Sequence, residues 1–316
     1  MPGLAGGAAP KLGFGLPVSG SWATPANMIT IAQRAERLGY ESLWTYQRLL
    51  QPVDGGWGEM YRCVQDPIVS LAYVAAVTRR MRLGTAILNA PFYTPVMLAK
   101  QLTTLDQVSG GRLDAGLGLG WSREEFAAAN IAYENRGART EELVTGLKNI
   151  WTADVAAYQG RFFTLEPSEV RPRPVQRPHP PILLGGAAEP ALRRVGRLAD
   201  GWISSSRHNL RKIGDDIALI SSAATEAGRD PAALRFVVRG VLRLGDADNP
   251  DDARRPLQGS VRQVKDDLRR LGELGVTEVF LDLNFSPDVG QPDTDPANAM
   301  SVALGVLDTF APAVTG

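Results

Sequence analysis

Two rhythms of apolar residues alternate along this chain: short runs apolar on both faces, then longer stretches in which apolar positions recur every three or four residues. Residues 82–126 show both twice. Residues 82–88 read as a strand buried on both sides, as a parallel sheet covered by helices requires. Pro95 then opens a helix, and Val96, Leu98, Ala99, Leu102, Leu105 and Val108 fall at helical spacing. Ser109, Gly110 and Gly111 end it, because glycine takes the left-handed conformation of a C-cap. A second strand over 112–117 runs into Gly116, Gly118 and Gly120. Ser122 reads as the next N-cap, with Glu125 three residues on completing a capping box. A glycine-rich turn between a strand and a helix N-terminus offers bare N–H groups and a positive dipole end to an anion.

The same unit recurs from end to end. The pattern predicts strands over 12–17, 41–45, 82–88, 112–117, 181–186, 201–205, 234–244 and 276–284. Helices are predicted from Pro25, after Asp66-Pro67, from Pro95, in two pieces near 123–129 and 139–151, and over 189–198, 210–227, 260–274 and 296–310. Residues 46–65 are rich in glycine, proline and aromatics and too long for a bare connector, which makes them a substrate loop or lid. Residues 158–170 read as a hairpin, and 171–181 as a proline-rich surface connector that cannot be helix. Strict alternation means parallel strands with crossovers, and eight of each closes a barrel. The expected fold is α/β: one (β/α)8 barrel over 12–316, with an insertion at about 123–180 between strands four and five, and a flexible tail over 1–11.

Composition narrows the function. Basic and acidic residues both number 34, so no basic footprint points to nucleic acid. No run approaches the roughly 20 apolar residues of a membrane helix, and no signal-peptide core appears. A lone cysteine, Cys63, rules out an internal disulfide and a cysteine metal cluster. The expected setting is the cytoplasm.

In a barrel the active site lies at the C-terminal ends of the strands. His179 and His208 are the only imidazoles and lie far apart in sequence, so no metal-dependent hydrolase or other metal site is expected. The ends of strands two to seven offer no carboxylate pair for glycoside cleavage. No barrel strand carries a lysine for Schiff-base chemistry. Glycine, serine, tryptophan and amide remain, which favours a flat phosphorylated cofactor that brings its own chemistry. Trp121 either plugs the mouth or lines a ring. Arg48 pairs either with a ligand acid or in a surface salt bridge. His208 reads as a helix-start surface residue, His179 as structural, Cys63 as an inert thiol and Asp282 as an internal hydrogen-bond partner.

The run GTAILNAPFYTPVMLAKQLTTLDQVSGGRLDAGLGLGWSREEF, together with PVQRPHPPILLGG and LADGWISSS, resembles the bacterial luciferase-like monooxygenase superfamily. Within it the chain resembles oxidoreductases that use the deazaflavin coenzyme F420. The resemblance implies a cis peptide at Ala86–Ile87 behind the cofactor ring and a ring contact at Asn89. It implies a phosphate held by Gly118, Gly120, Trp121 and Ser122 and by Gly185, Gly186 and Ala187. Where F420-dependent sugar-phosphate dehydrogenases of the family carry an Asp-His pair and a Glu, this chain has Tyr46, Gln47 and Trp121. Alcohol oxidation by that route is therefore not expected. Reduction of an activated double bond, with a proton from Tyr46 or solvent, is. The alternatives are an FMN-dependent monooxygenase fed by a partner flavin reductase, and a non-catalytic relative. A homodimer is also implied.

Overall fold

The computed structural model describes residues 9–54, 56–250 and 254–312. Eight parallel strands form its centre: β1 (Lys11–Gly15), β2 (Ser42–Thr45), β3 (Arg82–Thr85), β4 (Leu113–Gly118), β5 (Ile182–Gly185), β6 (Gly201–Ile203), β7 (Arg235–Val241) and β8 (Glu278–Asp282). β8 pairs with β1, Glu278 opposite Lys11, so the ring closes and leaves no edge. The (β/α)8 barrel expected from the alternation is the observed fold.

Around it lie α1 (Pro25–Arg37), α2 (Pro67–Ala75), α3 (Pro95–Ser109), α4 (Arg123–Ala128), α5 (Arg136–Thr152), α6 (Glu189–Leu198), α7 (Ile213–Glu226), α8 (Val261–Glu273) and α9 (Pro296–Thr309). Their starts are written in the local sequence. Thr24, Asp66, Thr94 and Asp295 each accept a first-turn N–H, and each is followed by proline at the first helical position. Gly110 ends α3 at φ +70°. Ser260 and Gln263 form a reciprocal capping box on α8.

Side chains pointing into the barrel alternate along each strand and stack in layers. The bottom layer is polar, which periodicity does not reveal. Asp114 bonds Arg82 (2.5 Å) and Arg235 (2.6 Å), and Arg235 reaches Glu278 at 3.0 Å. Burial pushes the Asp114 carboxyl up, but the two guanidinium groups outweigh it and hold it below the usual range. Burial dominates at Glu278 and raises it. The middle layer is apolar, with Trp44 stacked on Phe280 (5.3 Å) among Leu183, Ile203 and Val237. Gly84 makes room for that indole, since a Cβ there would sit 2.2 Å from it. Arg239 and Asp282 (3.3 Å) form the top layer, under the mouth.

Several expectations need adjusting. Residues 1–8 of the expected tail lie outside the described residues, and β1 starts inside the rest of it, at Lys11. That exposed lysine lies at the strand's N-terminal end, away from the mouth. β3 stops at Thr85, and Leu88–Asn89 resumes as a separate piece paired with β4 alone. Between β4 and β5 come α4, α5, the antiparallel hairpin Ala156–Gln159 with Thr164–Ser168, and the proline-rich connector. Asp106 on α3 ties that connector down by accepting the Val175 (2.6 Å) and Gln176 (3.1 Å) N–H groups.

Candidate active site

The interruption of β3 shapes the mouth. The Ala86–Ile87 peptide is cis, as the resemblance implies. Ile87 lies across the ends of β4 and β5. A Cβ on Gly118 would come within 2.6 Å of the Ile87 side chain, and one on Gly185 within 3.5 Å. Glycine at both positions keeps the floor flat. Above it opens a cleft of about 290 Å³, lined largely by Ile87, glycine backbone and the rings of Tyr46, Tyr61 and Trp121.

Of the residues singled out from the sequence, Tyr46, Gln47, Ala86, Ile87, Asn89, Gly118, Gly120, Trp121, Gly185, Gly186 and Ala187 line this one cleft. Ser122 does not. It is buried, its Oγ accepts the Glu125 N–H (3.0 Å) and it donates to Glu124 (2.8 Å), so the hydroxyl is committed to capping α4. Two carboxylates in that first turn also make it a poor anion site. The start of α6 differs. Its cap, Ala188, supplies no side-chain acceptor, and Gly186 to Ala188 and Ala191 face the cleft. Glu189 and Pro190 occupy its first turn, however, so neither helix start is free of a carboxylate.

The capping box expected at Ser122 is only half formed, because Glu125 turns inward instead. Its carboxylate is fully buried, accepts the Leu49 N–H (2.7 Å) and pairs with Arg48 at 3.2 Å. A carboxylate therefore does stand beside the turn after β4, but it is neutralised. Arg48 lies 4.7 Å from the Trp121 ring centroid, with Trp57 and Tyr61 also stacked on it. The ion pair is internal rather than superficial, and Trp121 lines the cleft. Through Trp57 and Tyr61, the aromatic loop expected over 46–65 forms one wall of the mouth.

Gln47 is occupied at both ends: its Oε1 accepts the Asn89 N–H (2.8 Å) and its Nε2 donates to the Tyr93 hydroxyl (2.6 Å). Asn89 is fully buried beside Gly120, and its Oδ1 has no hydrogen-bond partner among the described residues. An unpaired buried acceptor is costly, and a ligand N–H would satisfy it. Tyr46 turns its hydroxyl away from the cleft to donate to the Met60 carbonyl (3.0 Å). Burial, together with nearby Asp282, pushes that phenol well above its ordinary value in spite of the Ser19 hydrogen bond.

Arg239 escaped the sequence reading. It is buried between the rings of Tyr46, Phe280 and Phe285, and donates to the Ala86 carbonyl. Its inward position two residues beyond Val237 was the available signal. His208 is held by Asp216 (2.7 Å) against Trp202 rather than lying free on the surface. His179 stacks on Trp151, away from the mouth, and Cys63 is exposed. Among the described residues no group of histidine, cysteine and carboxylate side chains could hold a metal ion, and no helix is long and apolar enough to cross a membrane.

The mouth of this closed parallel barrel thus combines a glycine-floored slot, an unpaired amide acceptor and a helix start without a side-chain cap. The chain belongs to the luciferase-like monooxygenase family, whose model matches residues 8–292. It is 34% identical over 242 residues to an uncharacterized protein of Mycobacterium tuberculosis, covering 76% of this chain and 74% of that one. It is 33% identical over 198 residues to an FMNH2-dependent dimethylsulfone monooxygenase of Pseudomonas putida, covering 61% of this chain and 53% of the relative. The fold superposes on an F420-dependent secondary alcohol dehydrogenase in complex with an F420-acetone adduct, with a TM-score of 0.76 at 15% identity over 96% of this chain and all (100%) of that one.

Proposed function

We propose that this protein is an oxidoreductase that passes hydride between coenzyme F420 and a small organic substrate carrying an activated C=C, carbonyl or nitro group. The supporting observation is that the ring cleft is not sealed. It runs into a second, polar cleft through Tyr61, Ser206, Arg239 and Phe285, which line both. The opening leaves room for a substrate beside the ring, as hydride transfer to an outside acceptor requires.

The bound deazaflavin would supply the hydride; the chain's own residues bind and orient. The Asn89 amide oxygen would accept from a ring N–H, Ile87 would back the ring, and the glycines after β5 with the start of α6 would hold the phosphate. Gln47 positions Asn89. The Tyr46 hydroxyl is engaged elsewhere and hard to ionise, so solvent is the better proton source. FMN fits the same features, and the one-third identity to an FMNH2-dependent enzyme favours a two-component monooxygenase as the second reading.

Turnover under nitrogen separates them. With reduced F420, an enone or nitroaromatic should be reduced mole for mole as the cofactor is oxidised. Product that forms only with reduced FMN and oxygen would overturn the proposal.

A further inference from the structure

Beside the ring cleft lies the polar one, about 600 Å³, at the ends of β6 and β7. Six arginines line it (207, 211, 239, 243, 254 and 255), and among the described residues no aspartate or glutamate does. The chain has as many acids as bases, so this clustering is not the overflow of a basic protein. Some of these arginines have structural partners: Arg239 pairs with Asp282 at 3.3 Å, Arg254 with Asp267 at 2.5 Å, and Arg211 is engaged as well. Among the described residues, Arg207, Arg243 and Arg255 pair with no acid.

The wall carrying them is built. Beyond β7 the chain continues into Arg243–Leu244, which pairs in parallel with Gln258–Gly259. Arg254 donates to the Gln258 carbonyl (3.0 Å), and Arg211 to the Arg254 carbonyl (2.7 Å). The guanidinium groups are thus gathered about one hollow. Cations so placed repel until an anion enters, and the planar fork of arginine matches carboxylate and phosphate oxygens. The volume suits more than a single ion.

We propose that this cleft is an anion subsite that takes the carboxylate or phosphate groups of a molecule whose flat or reacting part lies in the adjoining ring cleft. Two sources share that chemistry: an acidic substrate and the acidic tail of the cofactor itself. Assigning the anion to the substrate rests on the proposed function; the cleft's affinity for anions does not.

The test is calorimetric titration of the whole protein, free of cofactor, with inorganic pyrophosphate and with citrate. Arg207→Glu/Arg243→Glu is the variant, both positions being exposed and outside the ring cleft. Arg207→Lys/Arg243→Lys keeps the charge and controls for folding. The wild type should bind one anion. The charge-reversed variant should bind at least about tenfold more weakly, equivalent to about 1.4 kcal/mol, and the lysine variant should recover part of the loss. No binding by the wild type, or equal binding by the charge-reversed variant, overturns the proposal. Repeating the titration with F420 or FMN present identifies the source. Undiminished pyrophosphate binding assigns the cleft to the substrate, and competition assigns it to the cofactor's tail. Failure of both cofactors to bind while pyrophosphate still does would overturn the function proposed above and leave the subsite standing.

Discussion

Asn89 is buried with an amide oxygen that nothing among the described residues satisfies, and Gln47 holds its backbone N–H with one end of its side chain while the other end donates to the Tyr93 hydroxyl. Neighbouring residues therefore carry unequal roles. Tyr46→Phe removes a hydroxyl that faces Met60, so turnover should stay within about threefold of wild type, a change under 1 kcal/mol. Gln47→Ala frees the Asn89 backbone N–H and should weaken cofactor binding by about tenfold, roughly one buried hydrogen bond. Fluorescence titration and steady-state rates of the two variants check both. A large loss in Tyr46→Phe would restore the tyrosine as proton donor. The positions of Asn89 and Gln47 were legible because a family motif carries them. Glu125 and Arg239 were not, since periodicity shows that a charge sits on a helix turn or an inward strand position, never which opposite charge meets it.

At the scale of elements, the unit from β3 to α4 was readable nearly residue by residue. Proline at the start of α3, the left-handed glycines after it and the Ser122 cap are local signals with local causes. What the unit does was less readable, because the partner of Glu125 comes from the loop after β2, 76 residues away in sequence. The turn itself is constrained twice. Gly120 has φ +72°, and a Cβ there would lie 3.0 Å from Phe126 and 3.4 Å from Asn89. Gly120→Ala should thus weaken cofactor binding several-fold through backbone strain and crowding alone, of order 1 kcal/mol. Gly120→Asp adds a negative charge beside Asn89 and should abolish binding. Equal affinities of both variants and the wild type would remove this turn from the site.

Closure of the whole barrel depends on filling its interior, and the bottom layer fills it with charge. The count and alternation of elements gave eight strands, but the Asp114–Arg82–Arg235–Glu278 cluster joins four strands far apart in sequence, which a one-dimensional pattern cannot show. The Asp114 carboxyl is held below its ordinary value. Its contribution is therefore complete above the unfolded value of about 3.9 and is lost as pH falls through the folded one. Thermal melts should fall steeply below about pH 4. Asp114→Asn should be less stable at neutral pH by about 3 kcal/mol, because the half-buried Arg82 and Arg235 lose the charge of a fully buried carboxylate, although Arg235 keeps Glu278, and should show a shallower acid limb. A variant melting like wild type at pH 7 would make the cluster incidental. At the mouth, side-by-side fluorescence titration with F420 and FMN decides whether the barrel holds the proposed deazaflavin. F420 should bind at least about tenfold more tightly than FMN, a difference of about 1.4 kcal/mol. Selective binding of FMN, or of neither, would contradict it.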